Sequence, residues 1–348
     1  MTISSNRVNV TLADAKPMVK ALISSGIPTN LLSSPGLGKS DLIKAIAKEL
    51  NLKLIDIRLS TCDPCDLTGL PNIQNGRSVW SPNQSFPLQS MDEVPEGYDG
   101  WLLFLDEITN APMAVQAASY RLILDREVGQ YKLHDKVFIA SAGNLITDAA
   151  AVTGEMSSAL KSRMAHINIE LSLDDWLDWA MSSNVHHSIT SFIKFKPTSL
   201  YQFDPKTAAD TYPCPRSWSM VNSIVANVGI NNPQIKNLVS AVISDGAACD
   251  YINYCKNFVN LPTYEAIIAD PLNVDIPKEM STLYALSGSI GSQVTAQTID
   301  PIMQYIGRMP QEFQLSTFHD FTKRDGKLVT LAPVRAWLVA NAKHLLGK

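Results

Sequence analysis

Eight residues near the start of the chain, Ser33-Ser34-Pro35-Gly36-Leu37-Gly38-Lys39-Ser40, combine glycines, a lysine and a hydroxyl at a spacing that suits phosphate. Gly36 and Gly38 let backbone N–H groups turn inward around a triphosphate. The helix that follows would add the partial positive charge of its N-terminus. Lys39 is the cation expected to reach the β- and γ-phosphates, and the Ser40 hydroxyl the group expected on Mg²⁺. Ser34, Pro35, Gly36, Leu37, Gly38, Lys39, Ser40 and Asp41 are therefore the expected nucleotide-binding residues, for a nucleoside triphosphate with Mg²⁺. One position departs from the motif: Ser33 stands where the first glycine is usual.

A second constellation lies at Asp106-Glu107, directly after the apolar run Trp101-Leu102-Leu103-Phe104-Leu105. Asp106, with Ser40, is the expected metal residue, holding Mg²⁺ through water. Glu107, one residue on, is placed to polarise the water that attacks a γ-phosphate. Two other pairs carry less chemistry. Cys62 and Cys65 form a C-x-x-C, but neither a second ligand pair nor a thioredoxin-like setting accompanies them. His186-His187 has no carboxylate partner, and adjacent rings on a helix point apart, so both are read as solvated or capping residues.

Such residues need a parallel sheet to hold them. Ile27 to Leu32 reads as a buried strand, and Leu42, Ile43, Ile46, Ala47 and Leu50 recur at helical spacing after the loop. Leu52 to Leu59, Trp101 to Leu105, Val137 to Ser141 and His166 to Ile169 are further strands. With helices over Pro112 to Leu124 and near Ser157 to Ser162, they predict an α/β core with a five-stranded parallel sheet. Residues 8 to 26 are expected to form a lead-in helix. Asn75-Gly76 marks a hairpin within an irregular insertion over 70 to 99, and Gly129 centres a second hairpin over 126 to 133. At Ser172-Leu173-Asp174-Asp175 a capping-box-like start opens a helical pattern. The expected division is a nucleotide-binding core over 1–171, a helical lid over 172–260 and a helical C-terminal extension over 261–348.

Composition narrows the partners. A net charge of −4 over 348 residues gives no basic footprint for nucleic acid. The first residues lack the apolar segment of a signal peptide, and no run reaches membrane-spanning length. Five cysteines without framework spacing point to a reducing compartment, so a cytoplasmic location is expected.

The stretch Leu103-Phe104-Leu105-Asp106-Glu107-Ile108-Thr109-Asn110-Ala111-Pro112 resembles the Walker B segment of AAA+ ATPases of the MoxR-like and dynein-related branch. Asp63-Pro64-Cys65-Asp66-Leu67-Thr68-Gly69, Ser141-Ala142-Gly143-Asn144, Ala159-Leu160-Lys161-Ser162-Arg163 and Cys214-Pro215-Arg216-Ser217-Trp218 continue the resemblance in the family's order, over about residues 20 to 225. It implies a P-loop core with a helical lid, and further roles in catalysis. Asn144 matches sensor 1, contacting the attacking water or γ-phosphate. Arg163 matches the arginine finger that reaches a neighbouring subunit's nucleotide, and Arg216 matches sensor 2 on the lid. Thr109-Asn110 replaces the Asn-Arg of many relatives, which leaves any arginine contact from that position without support. No role is assigned to Arg121 or Arg126.

The resemblance implies a ring of identical subunits, six in number, that hydrolyses ATP and remodels a protein partner. In this branch the partner often carries a von Willebrand factor A domain, and the two hairpins match insertions that engage it. Two alternatives stay open: a DNA-directed motor, and a nucleotide-gated scaffold with little turnover. A small-molecule kinase would leave Asn144, Arg163 and Arg216 unexplained together.

Overall fold

A computed structural model describes residues 8–145, 156, 158–206 and 210–345. These fall into two compact units, one over residues 8–172 with 204–206 and the other over 173–203 with 210–345.

In the first unit, strands β1 (Val8–Thr11), β2 (Thr29–Ser33), β3 (Leu52–Arg58), β6 (Gly100–Asp106), β9 (Val137–Asn144) and β10 (Ala165–Glu170) form one sheet. Its order is β1-β10-β2-β9-β6-β3, and every neighbouring pair is parallel. All seven residues of β6 are buried. Trp101, Leu103 and Leu105 face one apolar core, and Leu102 and Phe104 face the other, on the opposite side of the sheet. A strand covered on both faces has no reason to alternate, which accounts for its unbroken apolar run.

The sheet has six strands rather than the expected five. The expected lead-in helix over 8 to 26 is instead strand β1 followed by helix α1 (Leu12–Ser24). Thr11 ends the strand and caps the helix, its hydroxyl accepting from the Asp14 N–H at 3.3 Å. The alternating Val8-Asn9-Val10-Thr11 pairs with Ile167, Asn168, Ile169 and Glu170 of β10. That non-local pairing outweighs the helical signal downstream.

Two hairpins leave the sheet between its strands. β4 (Leu70–Gln74) and β5 (Arg77–Ser81) join through Asn75 and Gly76, with φ of 51° and 75°, as a two-residue turn of left-handed residues requires. β7 (Glu127–Val128) and β8 (Tyr131–Lys132) flank Gly129. A Cβ on Gly129 would lie 2.7 Å from the Thr68 carbonyl oxygen and 3.0 Å from Trp80 Cβ, so the two hairpins meet at a point where only glycine fits.

The second unit is helical, from α6 (Leu173–Ser182) and α7 (His187–Phe195) through α8 (Pro215–Val228) to α15 (Ala332–Leu345). One apolar core surrounds Phe192, Trp218 and Tyr251; another surrounds Tyr305, Phe313 and Phe321. Between them, Lys194 of α7 pairs with Asp320 of helix α14 (Gln311–Arg324) and donates to Ser316 Oγ at 3.1 Å. His186 caps α7, its Nδ1 accepting from the Ser188 N–H at 3.2 Å. Because His186 sits outside the helix, its ring stacks on His187 at 4.3 Å instead of pointing away as helical neighbours would. Burial and the adjacent His186 lower His187 to a pKa of about 4. Among the described residues, no helix is long and apolar enough to cross a membrane.

Candidate functional site

The first site residues gather where the parallel strands end, the edge of an open α/β sheet at which ligands bind. β2 stops at Ser33 and helix α2 (Lys39–Glu49) starts six residues later. Gly36 and Gly38, with φ of 81° and 89°, supply the left-handed turns that fold the loop back on the helix N-terminus. Leu37 is buried, Ser34 and Pro35 are half-buried, and Asp41 is exposed on the first turn of α2.

β9 lies between β2 and β6, and this order decides the geometry. Asn144, at the end of β9, stands in register with Ser33. Its Oδ1 accepts from Lys39 Nζ at 3.1 Å. Lys39 is 9% exposed, and its ammonium also donates to Ser33 Oγ at 2.8 Å, to the Ser33 carbonyl at 3.1 Å and to the Ser34 carbonyl at 3.4 Å. On the other side, Ser40 Oγ donates to Asp106 Oδ2 at 3.0 Å, while Asp106 Oδ1 accepts from the Glu107 N–H at 2.9 Å. A phosphate-loop hydroxyl and a strand-end carboxylate, 66 residues apart in sequence, are thus in direct contact.

These two oxygens are hard donors of the kind Mg²⁺ takes, alongside phosphate and water oxygens. Among the described residues, no group of three or more His, Cys, Asp or Glu side chains could hold a metal by protein ligands alone. The Ser40 hydroxyl and the Asp106 carboxylate fit a hard cation such as Mg²⁺. Partial burial and the Asp106 charge push the carboxyl of Asp56, on β3, above its ordinary range.

Glu107 turns the chain sharply after β6, at φ 58°. Its carboxylate accepts from Ser60 Oγ and lies 3.5 Å from Arg58 Nε, so two groups fix its direction. The next turn returns to β9: the Ile108 N–H donates to the Ala142 carbonyl at 2.9 Å, and the Asn144 N–H donates to Thr109 Oγ1 at 2.9 Å. A Cβ on Gly143 would come within 2.6 Å of the Thr109 methyl, so Thr109 packs directly on the residue before Asn144.

Arg163 is exposed in the turn between α5 (Ser158–Lys161) and β10, its N–H donating to the Leu160 carbonyl at 3.2 Å. Arg216 is exposed on the first turn of α8, in the second unit. The geometry above thus joins Ser33, Lys39, Ser40, Asp106, Glu107 and Asn144, and does not include either arginine. Arg121 pairs with Glu127 at 2.7 Å. Arg126 donates to the His134 and Val137 carbonyls at 3.0 and 2.8 Å.

Sequence reasoning missed Arg58 and Ser60 as partners of Glu107, because Arg58 ends, and Ser60 follows, a strand that pairs with β6 only in three dimensions. Ser33 and Thr109 stood out as departures from a pattern; what they touch could not be read from it.

Residues 30–164 match the family model described as an AAA domain of the dynein-related subfamily. No curated protein matches the chain. Among solved structures, NtrX from Brucella abortus is similar at 13% identity and a TM-score of 0.39, over 97% of this chain and 69% of that one. A RuvB mutant from Thermotoga maritima is similar at 18% identity and a TM-score of 0.37, over 84% of this chain and 82% of that one. Both likenesses are distant in sequence and in superposition.

Proposed function

We propose that the protein, whose residues 30–164 match the family model of an AAA domain of the dynein-related subfamily, binds ATP with Mg²⁺ and hydrolyses it to ADP and phosphate. The observation that carries this reading is the convergence of Lys39, Ser40, Asp106, Glu107 and Asn144 at one end of the sheet. Loop N–H groups and Lys39 bind the phosphates. Ser40 and Asp106 would hold the metal, which when bound would offset charge on the phosphates. Glu107 takes the proton of the attacking water, and Asn144, beside Lys39, orients that water or the γ-phosphate.

The finer reading follows the MoxR-like resemblance. Arg163, exposed in its turn, reaches the nucleotide of a neighbouring copy in a ring, and Arg216 senses the γ-phosphate from a helical lid. Hydrolysis then remodels a protein partner, such as one carrying a von Willebrand factor A domain. The β4–β5 hairpin supports a protein partner over DNA: it exposes Leu70, Ile73 and Trp80, apolar side chains rather than a basic run. The nucleotide-gated scaffold remains the second reading, favoured by the hold of Ser33 on Lys39.

The test is phosphate release from Mg²⁺-ATP by the purified chain, with Lys39→Ala as control. Turnover in the wild type that disappears in Lys39→Ala is expected. Tight ATP binding with no release, alone or with a partner, would replace this reading with the scaffold.

A further inference from the structure

Ser33 occupies a position where this loop ordinarily has no side chain, and its hydroxyl is in contact with the lysine that the loop uses. Ser33 is fully buried at the end of β2. Its Oγ donates its one proton to the Ser34 carbonyl at 2.8 Å, which leaves lone pairs for Lys39 Nζ, also at 2.8 Å. The hydroxyl is therefore oriented as an acceptor for the ammonium.

An ammonium has three N–H groups. Lys39 Nζ already lies within hydrogen-bond reach of at least four oxygens: Ser33 Oγ, the Ser33 and Ser34 carbonyls, and Asn144 Oδ1. The donors are thus oversubscribed, and any phosphate oxygen must displace one of these acceptors. A diphosphate asks for one N–H, leaving one for the Ser33 carbonyl and one for Ser33 Oγ. A triphosphate bridged at both its β- and γ-oxygens asks for two, leaving only one N–H for both Ser33 oxygens. At Ser33 Oγ, buried to zero exposure, no water can take the place of the departing lysine.

We infer that the Ser33 hydroxyl competes with the γ-phosphate for Lys39, so that Ser33 selectively weakens triphosphate binding and acts as a specificity-determining residue for ATP against ADP. The inference rests on the reading of Lys39 as the phosphate-binding lysine.

The experiment measures Kd for ADP and for an ATP analogue with a non-hydrolysable β–γ bridge, both with Mg²⁺, by calorimetric titration. Wild type, Ser33→Ala and Ser33→Gly are compared. Removing the competing acceptor should tighten the triphosphate analogue by roughly three- to tenfold, the worth of one hydrogen bond, and leave ADP within about twofold. Ser33→Gly, which restores the usual residue, should move in the same direction and keeps the test alive if Ser33→Ala folds poorly. Equal shifts for both nucleotides would mean that Ser33 only shapes the loop, and weaker binding of the triphosphate would mean that it assists Lys39; either result overturns the inference. Failure of the wild type to bind both nucleotides would instead remove the functional reading, and this inference with it.

Discussion

Thr109 is a residue whose removal should cost both stability and turnover, for one reason. It is 4% exposed, accepts a hydrogen bond from the Asn144 N–H at 2.9 Å, and packs its methyl on Gly143. Thr109→Val keeps the shape and the methyl but removes the acceptor. A part-buried backbone N–H then loses its partner, at a cost of about 1–3 kcal/mol. For a cooperative unit of this size, each kcal/mol lowers Tm by about 2–4 °C, so the transition of the first unit should fall by roughly 2–12 °C. Thr109→Ser is the matched control: it keeps the acceptor and loses only the methyl. Asn144 also holds Lys39 through Oδ1, so the orphaned N–H should disturb the site as well, and ATP turnover should fall more in Thr109→Val than in Thr109→Ser. Calorimetry and a phosphate-release assay on the two variants read both effects. If Thr109→Val melted with the wild type, or if the two variants were indistinguishable, the role given to this hydrogen bond would be refuted.

Glu107→Gln should leave ATP binding near wild type and slow hydrolysis by about 10²–10⁴-fold, the worth of a general base; an unchanged rate in single-turnover assays would remove Glu107 from that role. Arg163→Ala should bind ATP normally yet lose about 10³–10⁵ in rate, and mixing it with Lys39→Ala should restore activity that neither variant shows alone. Co-assembly without recovery would place Arg163 outside a neighbour's site. His187 gives a pH prediction. Its pKa is lowered from 6.5 to about 4 in the folded chain, so the fold favours the neutral ring. The stability this supplies is fully present above pH 6.5, falls as the pH drops toward 4, and is lost below it. The full loss is about 3 kcal/mol. Thermal melts of the second unit between pH 7 and pH 4 should show this loss, and His187→Gln should flatten it; an equal pH dependence in the variant would refute the assignment.

Much of the site was legible in sequence because its chemistry is local. Glycines that must adopt positive φ, a lysine and a hydroxyl at the next helix start, and acids closing an apolar strand are all fixed by residues adjacent in the chain. Asn75-Gly76 was legible for the same reason, since a two-residue turn needs those residues wherever the hairpin lies. The strand count was not legible. Val8 to Thr11 is too short to declare itself, and only its pairing with β10, more than 150 residues away, makes it a strand. Strand order was also a decision of the tertiary structure. Packing β9 between β2 and β6 sets Asn144 against Lys39, and the pairing of β3 with β6 brings Arg58 and Ser60 to Glu107. Ser33 and Thr109 show the limit most clearly: as letters they are departures from a pattern, and in the fold they are acceptors for Lys39 and for the Asn144 N–H. A hydrogen bond needs its partner within about 3 Å. For these two residues the partner's distance is set by the turn of the loop and by the register of the sheet, not by the residue type.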